Sequence, residues 1–360
     1  MSMIPSDDAY SDYSAFLTPM EGRRMGKLMK RALTTSLTAL RNAGLEHPDA
    51  IVTGTSLGSV ADMEPVLNAV CENGGESVKP TNFMQSTHNT LSSLIALRTG
   101  TRGYNCTWSQ ECLSFEDALA DAMTQLRLGR ISNALVGAFD ELSPDALEVQ
   151  RRGGILKDGC KAGEVAASFV LETGGTDPVM SGKPGSADAS VAGASQTVKG
   201  SAAENGRPVE VVAVRTAYIP DEKCQEEKLS DILEDMLGKA GLSMGDMDFV
   251  LTGRHGICPG VFFHNDAVYD RLNGLWQGIP QGLWKHVFGE GFSSSAAGFH
   301  LAATCLLQGF IPEAFLLPDS ASPVASTSAA SSGISGFPPR NILIFNYFAA
   351  RHFSLMLLRK

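Results

Sequence analysis

The sequence predicts an α/β protein built from two layered halves, and three observations lead there. Short apolar runs of strand character alternate with segments of helical period along most of the chain. A stretch rich in Gly, Ser, Ala and Thr, residues 174–207, has no periodic apolar positions, and the alternation resumes beyond it. With 360 residues, the chain is long enough to bury a large core. The expected division is a loose polar arm at 1–20, a first half at 21–173, a surface insertion at 174–207 and a second half at 208–360.

Composition narrows the class of partner and compartment. A formal charge of -10 and a pI near 5.2 argue against nucleic acid and anionic membranes as partners. The 7 cysteines are odd in number and lack paired spacing, which suits thiols in a reducing cytosol better than a disulfide framework. No basic and apolar leader opens the sequence, and no uncharged apolar run approaches a membrane span, so a cytoplasmic location is expected.

In chain order, Glu21 to Ala43 places Met25, Leu28, Met29, Ala32, Leu33, Leu37 and Leu40 on a helical period, and Gly44 ends it. Asp49 to Thr53 reads as a strand, followed by the turn Gly54-Thr55-Ser56-Leu57-Gly58 and a helix from Ala61 to Cys71. Phe83 to Arg98 reads as one further buried helix. Ser114 followed by Asp117 forms a capping-box pair that predicts a helix start. Phe115, Leu119, Ala122 and Leu126 continue that helix to Gly129. Ala134 to Ala138 and Ala166 to Glu172 read as buried strands. Beyond the insertion, Pro208 to Arg215 is a strand, Lys228 to Gly241 an amphipathic helix and Asp248 to Thr252 a strand. Ser295 to Leu307 is a buried helix, Ser320 to Gly336 a second low-complexity loop, and Asn341 to Phe345 with Ser354 to Leu358 a closing antiparallel pair.

Cys112 sits just before the helix that begins at Ser114. Free backbone N–H groups and the helix dipole favour a thiolate there. The alternative is a small buried thiol with no chemistry.

The run from Cys112 through Gly129 to Gly137 resembles, without gaps, the nucleophile segment of the β-ketoacyl synthases, condensing enzymes of the thiolase fold. In place of that family's Thr-Ala-Cys-x-Ser-Gly stand Gln110, Glu111, Cys112, Leu113, Ser114 and Phe115, of which Cys112 and Ser114 match. Glu21 to Gly44 is similar to the first long helix, and Ile51 to Gly58 to the strand and Gly-rich turn after it. Lys79 to Gly103 is similar to the dimer-facing segment, and Gly163 to Glu172 to the strand that ends the first half. Lys285-His286-Val287-Phe288-Gly289-Glu290 resembles Lys-x-x-x-Gly-His, and Asn346-Tyr347-Phe348 resembles Asn-Ser-Phe. The Lys-His-x-x-Gly-Glu string and the Gly-Tyr-Asn ahead of the nucleophile resemble the short synthase-like proteins of aryl-polyene and flexirubin pigment pathways.

The resemblance implies a thiolase-like layered fold of two mixed sheets, with the helix after Cys112 buried between them. Met1 to Met20 shows no strand pattern, so the first sheet is expected to be one strand short and the chain truncated. It also implies acyl groups delivered on a phosphopantetheinyl acyl carrier protein, with no cofactor and no metal. Pairing into a homodimer, or a heterodimer with a fuller synthase, is expected across Thr101 to Ser109, where Tyr104 and Trp108 would otherwise line an exposed edge.

The catalytic roles implied fall on Cys112 as nucleophile, His255 of Arg254-His255-Gly256 as decarboxylation donor, Lys285, and Glu290 in the place of the second His. A carboxylate there repels the enolate unless protonated. Ala349-Ala350-Arg351-His352 replaces the Gly-rich turn that completes the oxyanion hole. Two functions stay open: a working 3-oxoacyl-carrier synthase using Cys112, and a non-catalytic partner similar to the chain-length factors of type II polyketide systems. A third reading takes Gly54 to Gly58 as the nucleophile elbow of a serine hydrolase. His255, Cys258 and His264 do not have a usual zinc spacing.

Overall fold

The computed structural model describes residues 2–4, 13–156, 160–174, 196–198, 208–254, 266–317, 338–349 and 351–360. In the first half come β1 (Ser2–Ile4), α1 (Pro19–Gly22), α2 (Lys27–Ala43), β2 (Ala50–Gly54), α3 (Val60–Asn73), α4 (Pro80–Gln85) and α5 (Thr90–Thr99). They are followed by β3 (Tyr104–Trp108), α6 (Ser114–Arg127), β4 (Asn133–Asp140), α7 (Pro144–Arg152) and β5 (Val165–Thr173). After the short β6 (Gln196–Val198) come β7 (Val209–Tyr218), α8 (Gln225–Lys239), β8 (Phe249–Thr252), α9 (Asp266–Leu272), β9 (Gln281–Leu283) and α10 (Lys285–Phe288). Last are α11 (Ser294–Gln308), β10 (Asn341–Phe348) and β11 (His352–Arg359).

Strand order shows a repeat that the residues themselves do not. The first half runs β3-β2-β4-β5-β1 and the second β9-β8-β10-β11-β7, so each orders its strands third, second, fourth, fifth, first. Directions repeat as well. The second strand is parallel to the third and fourth, and the fifth is antiparallel to both its neighbours. Each half is thus a five-stranded mixed sheet, and β6 joins the two by pairing with β5 and β7.

Alternation along the strands builds the layers. Ala50, Val52, Ala134, Val136, Phe249, Leu251, Ile342, Ile344 and Met356 point into one central core with Phe115 and Leu119 of α6 and Phe299 and Leu306 of α11. Ile51, Leu135, Phe139 and Val170 point the other way, onto α2 and α5. Val250, Leu343, Phe345 and Leu357 do the same in the second half, onto α8 and α9. Helices therefore lie outside each sheet and α6 and α11 between them, which is why the strands are apolar on both faces. Phe115, Phe169 and Phe299 meet with ring centroids 4.8–5.5 Å apart and lock α6, β5 and α11 together.

Several expectations are corrected. The first sheet is not a strand short: Ser2–Ile4 pairs antiparallel with Ala166 to Ser168 as the counterpart of β7, and three residues are too few to show a period. The helix expected over Phe83 to Arg98 is two, α4 and α5. The polar link 86–89 breaks it, with the Thr87 and Thr90 hydroxyls 2.8 Å apart and His88 Nε2 bonded to the Ser56 carbonyl. Phe83, Met84 and Leu97 are accordingly exposed. The first long helix breaks over residues 23–26, where Gly26 takes the N-cap of α2. Within the expected surface insertion, Gln196–Val198 enters the sheet. The rest of 175–207, and the whole of the loop Ser320 to Gly336, lie outside the described residues. Among the described residues no helix is long and apolar enough to cross a membrane.

Candidate functional site

Cys112 lies in a 3-10 turn, Glu111–Leu113, that leads into α6 and packs against β10 and α11. Glu111 takes a φ of 48°, unusual for a residue with a side chain. The Ser114 hydroxyl holds the turn by donating to the Glu111 carbonyl (2.7 Å) and accepting the Gln110 N–H (2.9 Å). Ser114 therefore does not cap the helix, and Leu113 occupies the N-cap instead. The turn also needs Gly54: a Cβ there would collide with the Ser114 carbonyl. Gly54→Ala is expected to destabilise the fold by about 1–3 kcal/mol, because the obstacle is backbone rather than a flexible side chain. Urea unfolding that leaves the midpoint unchanged would disprove this contact.

A second loop brings Lys285 and Glu290 to the same region. Gly289, at a φ of 85°, passes so close to residues 162 and 163 that a Cβ would sit 2.6 Å from the Ala162 carbonyl oxygen. The Glu290 N–H donates to the Lys161 carbonyl and the Gly163 N–H to the Glu290 carbonyl, both at 2.7 Å. So held, the Glu290 Oε2 forms an ion pair with Lys285 Nζ at 3.0 Å, and its Oε1 accepts the Gly291 N–H at 3.2 Å. Both side chains are almost fully buried, and Lys285 has no exposed side-chain surface.

The helix-terminus argument for a thiolate does not hold here. Burial pushes the Cys112 thiol well above its ordinary value. Glu290 adds to this, with smaller contributions from Glu116 and Glu111, while Lys285 opposes it. Desolvation and three carboxylates outweigh one ammonium and a helix dipole, so the resting group is a thiol.

Glu116, which sequence reasoning passed over, lies one helical turn past Cys112 with no exposed surface. Its carboxyl accepts from the Ser295 hydroxyl of α11 (2.9 Å) and the Ser354 hydroxyl of β11 (2.8 Å), joining the two halves. Burial raises its pKa from 4.5 to about 7, against the lowering effect of the two hydroxyls. The sequence signal was an acidic residue between Phe115 and Ala118 on an apolar helix.

Asp140, at the end of β4, was missed as well and accounts for the Gly54 to Gly58 turn. Its buried carboxylate accepts from the N–H groups of Ser56 (2.9 Å) and Leu57 (2.7 Å) and from the Thr55 hydroxyl (3.0 Å). It also takes the Ser293 hydroxyl, just ahead of α11. His88 meets the Ser56 carbonyl, not its hydroxyl. Among the described residues, Ser56 belongs to a carboxylate-binding loop rather than a hydrolase triad.

His255 lies outside the described residues, as do Cys258 and His264. Arg254 forms an ion pair with Asp270 at 2.7 Å. In the turn between β10 and β11, Ala349 takes a φ of 53°, a region that favours glycine.

Two mixed sheets of repeated order around a pair of buried helices, with a cysteine at the head of one of them, make up a thiolase-like layered fold. The profile described as "Beta-ketoacyl synthase, N-terminal domain" matches residues 3–175. A 3-oxoacyl-[acyl-carrier-protein] synthase homolog of Saccharomyces cerevisiae (strain ATCC 204508 / S288c) is 25% identical over 176 residues, 40% of this chain and 40% of that protein. The chain thus matches well under two thirds of that relative's length. Among solved structures, the ishigamide ketosynthase/chain length factor superposes with a TM-score of 0.69 at 18% identity, over 97% of this chain and 86% of that one. A β-ketoacyl synthase from Burkholderia phymatum STM815 gives 0.71 at 18% identity, over 96% and 85%. A type II PKS acyl-carrier protein in complex with its ketosynthase bound to the hexaketide gives 0.66 at 14%, over 97% and 88%. Over residues 3–175 the chain is similar to the β-ketoacyl synthase N-terminal domain, and over nearly its whole length it shares the fold of the ketosynthase structures.

Proposed function

We propose that the chain is a ketosynthase-like subunit of fatty-acid- or polyketide-type chain elongation on acyl carrier protein, of chain-length-factor type and acting beside a fuller ketosynthase in the cytoplasm. The observation that carries this is the buried Lys285–Glu290 ion pair beside Cys112, at the position where the family's pattern has a histidine. A carboxylate offers no hydrogen to an enolate, and losing one such donor typically costs about 3 kcal/mol of barrier. The neighbours named as ketosynthase/chain length factor and as carrier protein with ketosynthase support the partner class.

The pairing surface fits the end of the first sheet. Strand β3 is the terminal strand of the ladder, and Asp121 of α6 holds both its aromatic side chains, accepting from Tyr104 Oη (2.9 Å) and Trp108 Nε1 (3.0 Å). An open edge carrying two half-exposed aromatics is normally covered. Light scattering is expected to give a dimer, with itself or with the fuller synthase, that Trp108→Lys weakens at least roughly tenfold. A monomer that captures no synthase would count against the pairing.

The retained Cys112 at the head of α6 favours the alternative, an active 3-oxoacyl-carrier synthase with Cys112 as nucleophile and His255 as decarboxylation donor. Incubation with malonyl- and acyl-carrier protein separates the two. The subunit reading expects no CO₂ release from the chain alone and altered product length when the synthase is added. CO₂ release that depends on Cys112, without any partner, would replace it with the enzyme reading.

A further inference from the structure

We propose that the cleft at the end of the first sheet opposite Cys112 binds a small molecule through a phosphate or diphosphate group, held by Arg102 and Arg130. It takes nothing from the acyl-chain reading above.

The cleft follows from topology. Strands β2, β3 and β4 run parallel, so the three connections that enter them, from α2, α5 and α6, meet at one end of the sheet. Residues His47 to Asp49, Gly100 to Tyr104 and Gly129 to Ser132, with Gln125 of α6, line a cleft of about 680 Å³. That volume suits a small organic ligand rather than a bare ion. Cys112 follows the far end of β3, so the length of that strand separates the two places.

Charge in the cleft is unbalanced. Elsewhere arginines face carboxylates: Arg31 meets Glu164 at 2.8 Å, Arg98 meets Glu21 at 2.6 Å and Arg359 meets Glu210 at 2.7 Å. Among the described residues Arg102 has no ion pair and no hydrogen bond from its side chain, and Arg130 reaches only the Gln125 amide oxygen, at 3.3 Å. The carboxylate that lines the cleft, Asp49, is taken up by the backbone, accepting the Ser132 N–H at 2.8 Å. Two guanidiniums therefore share one cleft without a counterion, on a chain whose formal charge is -10. An oxyanion from solution relieves their repulsion.

The groups present select the kind of anion. A planar guanidinium matches phosphate oxygens two at a time, and Ser132 adds a hydroxyl to the lining. The C-terminal ends of α2, α5 and α6 lie at the same place, and their carbonyl ends oppose negative charge. A monoanion gains too little from two solvent-screened guanidiniums to overcome that opposition, whereas each further charge on the ligand adds to the attraction. Preference for multiply charged anions is thus part of the proposal.

Isothermal titration of the whole chain with inorganic pyrophosphate, inorganic phosphate and acetate, at fixed ionic strength, tests it. Pyrophosphate is expected to bind at least roughly tenfold tighter than phosphate, and acetate to give no signal. Both arginines are exposed, so Arg102→Ser and Arg130→Ser should fold normally. Each should weaken pyrophosphate at least roughly tenfold, and the double variant should abolish binding. Arg151→Ser removes the same charge at the end of α7, outside the cleft, and should leave the affinity within about twofold. No heat with pyrophosphate, equal affinity for acetate, equal weakening by Arg151→Ser, or binding that survives the double variant would each overturn the proposal. So would a loss of dimer in the cleft variants with pyrophosphate binding intact, which would give these arginines to the β3 pairing surface instead.

Discussion

Lys285→Met is expected to lower the unfolding free energy by about 3–5 kcal/mol, the usual cost of stranding one partner of a buried ion pair. The expectation follows from placement. Lys285 has no exposed side-chain surface, Glu290 very little, and their charged atoms are 3.0 Å apart. Backbone bonds to Lys161 and Gly163 hold Glu290 where it is, so its carboxylate has no easy path to water once the ammonium is gone. Removing both charges is a different matter: Lys285→Met with Glu290→Leu should recover most of the loss, since an apolar pair of similar volume avoids the desolvation of both ions. The coupling between the two sites in a double-mutant cycle is expected to exceed about 2 kcal/mol. If Lys285→Met alone costs under about 1 kcal/mol, the loop rearranges to hydrate Glu290, and the ion pair does not organise the site.

How far the sequence foretold this arrangement depended on whether a residue's role is local. The run Phe115 to Leu126, the Gly129 stop and the pair β10–β11 follow from spacing alone, because apolar period and turn residues decide them. Strand β1 escaped because three residues carry no period, and its place is set by β5. The Phe83 to Arg98 segment does not form one buried helix because Phe83, Met84 and Leu97 are exposed while Leu91 and Ile95 are buried, and the His88 bond to Ser56 crosses to another element. At the site, Cys112 and the Lys285 to Glu290 string were visible as a family pattern. The raised thiol was not, since it depends on carboxylates from α6 and from the loop before α11 meeting in one place. Asp140 and Glu116 read as ordinary acidic residues in sequence. Only the fold shows them buried against Ser293, Ser295 and Ser354 from the other half.

Glu116 gives the fold a pH dependence of unusual sign for an acidic protein. Its pKa is about 7 in the folded chain and 4.5 in the reference state. Below 4.5 both states hold the proton, and this group adds no slope. Between 4.5 and about 7 the unfolded chain releases it first, so the unfolded state is favoured progressively as pH rises. Above that both are ionised, and the stability present at low pH has been lost. At about 1.4 kcal/mol per unit, the loss across this window is on the order of 3 kcal/mol. Burial also raises Asp140 and Glu141, which push in the same direction. Glu164, held below its ordinary value by Lys27, Arg31 and a backbone N–H despite partial burial, acts the other way and mainly at lower pH. Urea midpoints from about pH 5 to about pH 8 should therefore fall for the wild-type chain. Glu116→Gln keeps an oxygen for one serine and an amide for the other, and cannot ionise. That variant should lose roughly 3 kcal/mol less over the same range and be the more stable protein at the alkaline end. Parallel pH curves for the two chains would mean that Glu116 reaches water when ionised, and that the joint with Ser295 and Ser354 opens rather than holding a charge.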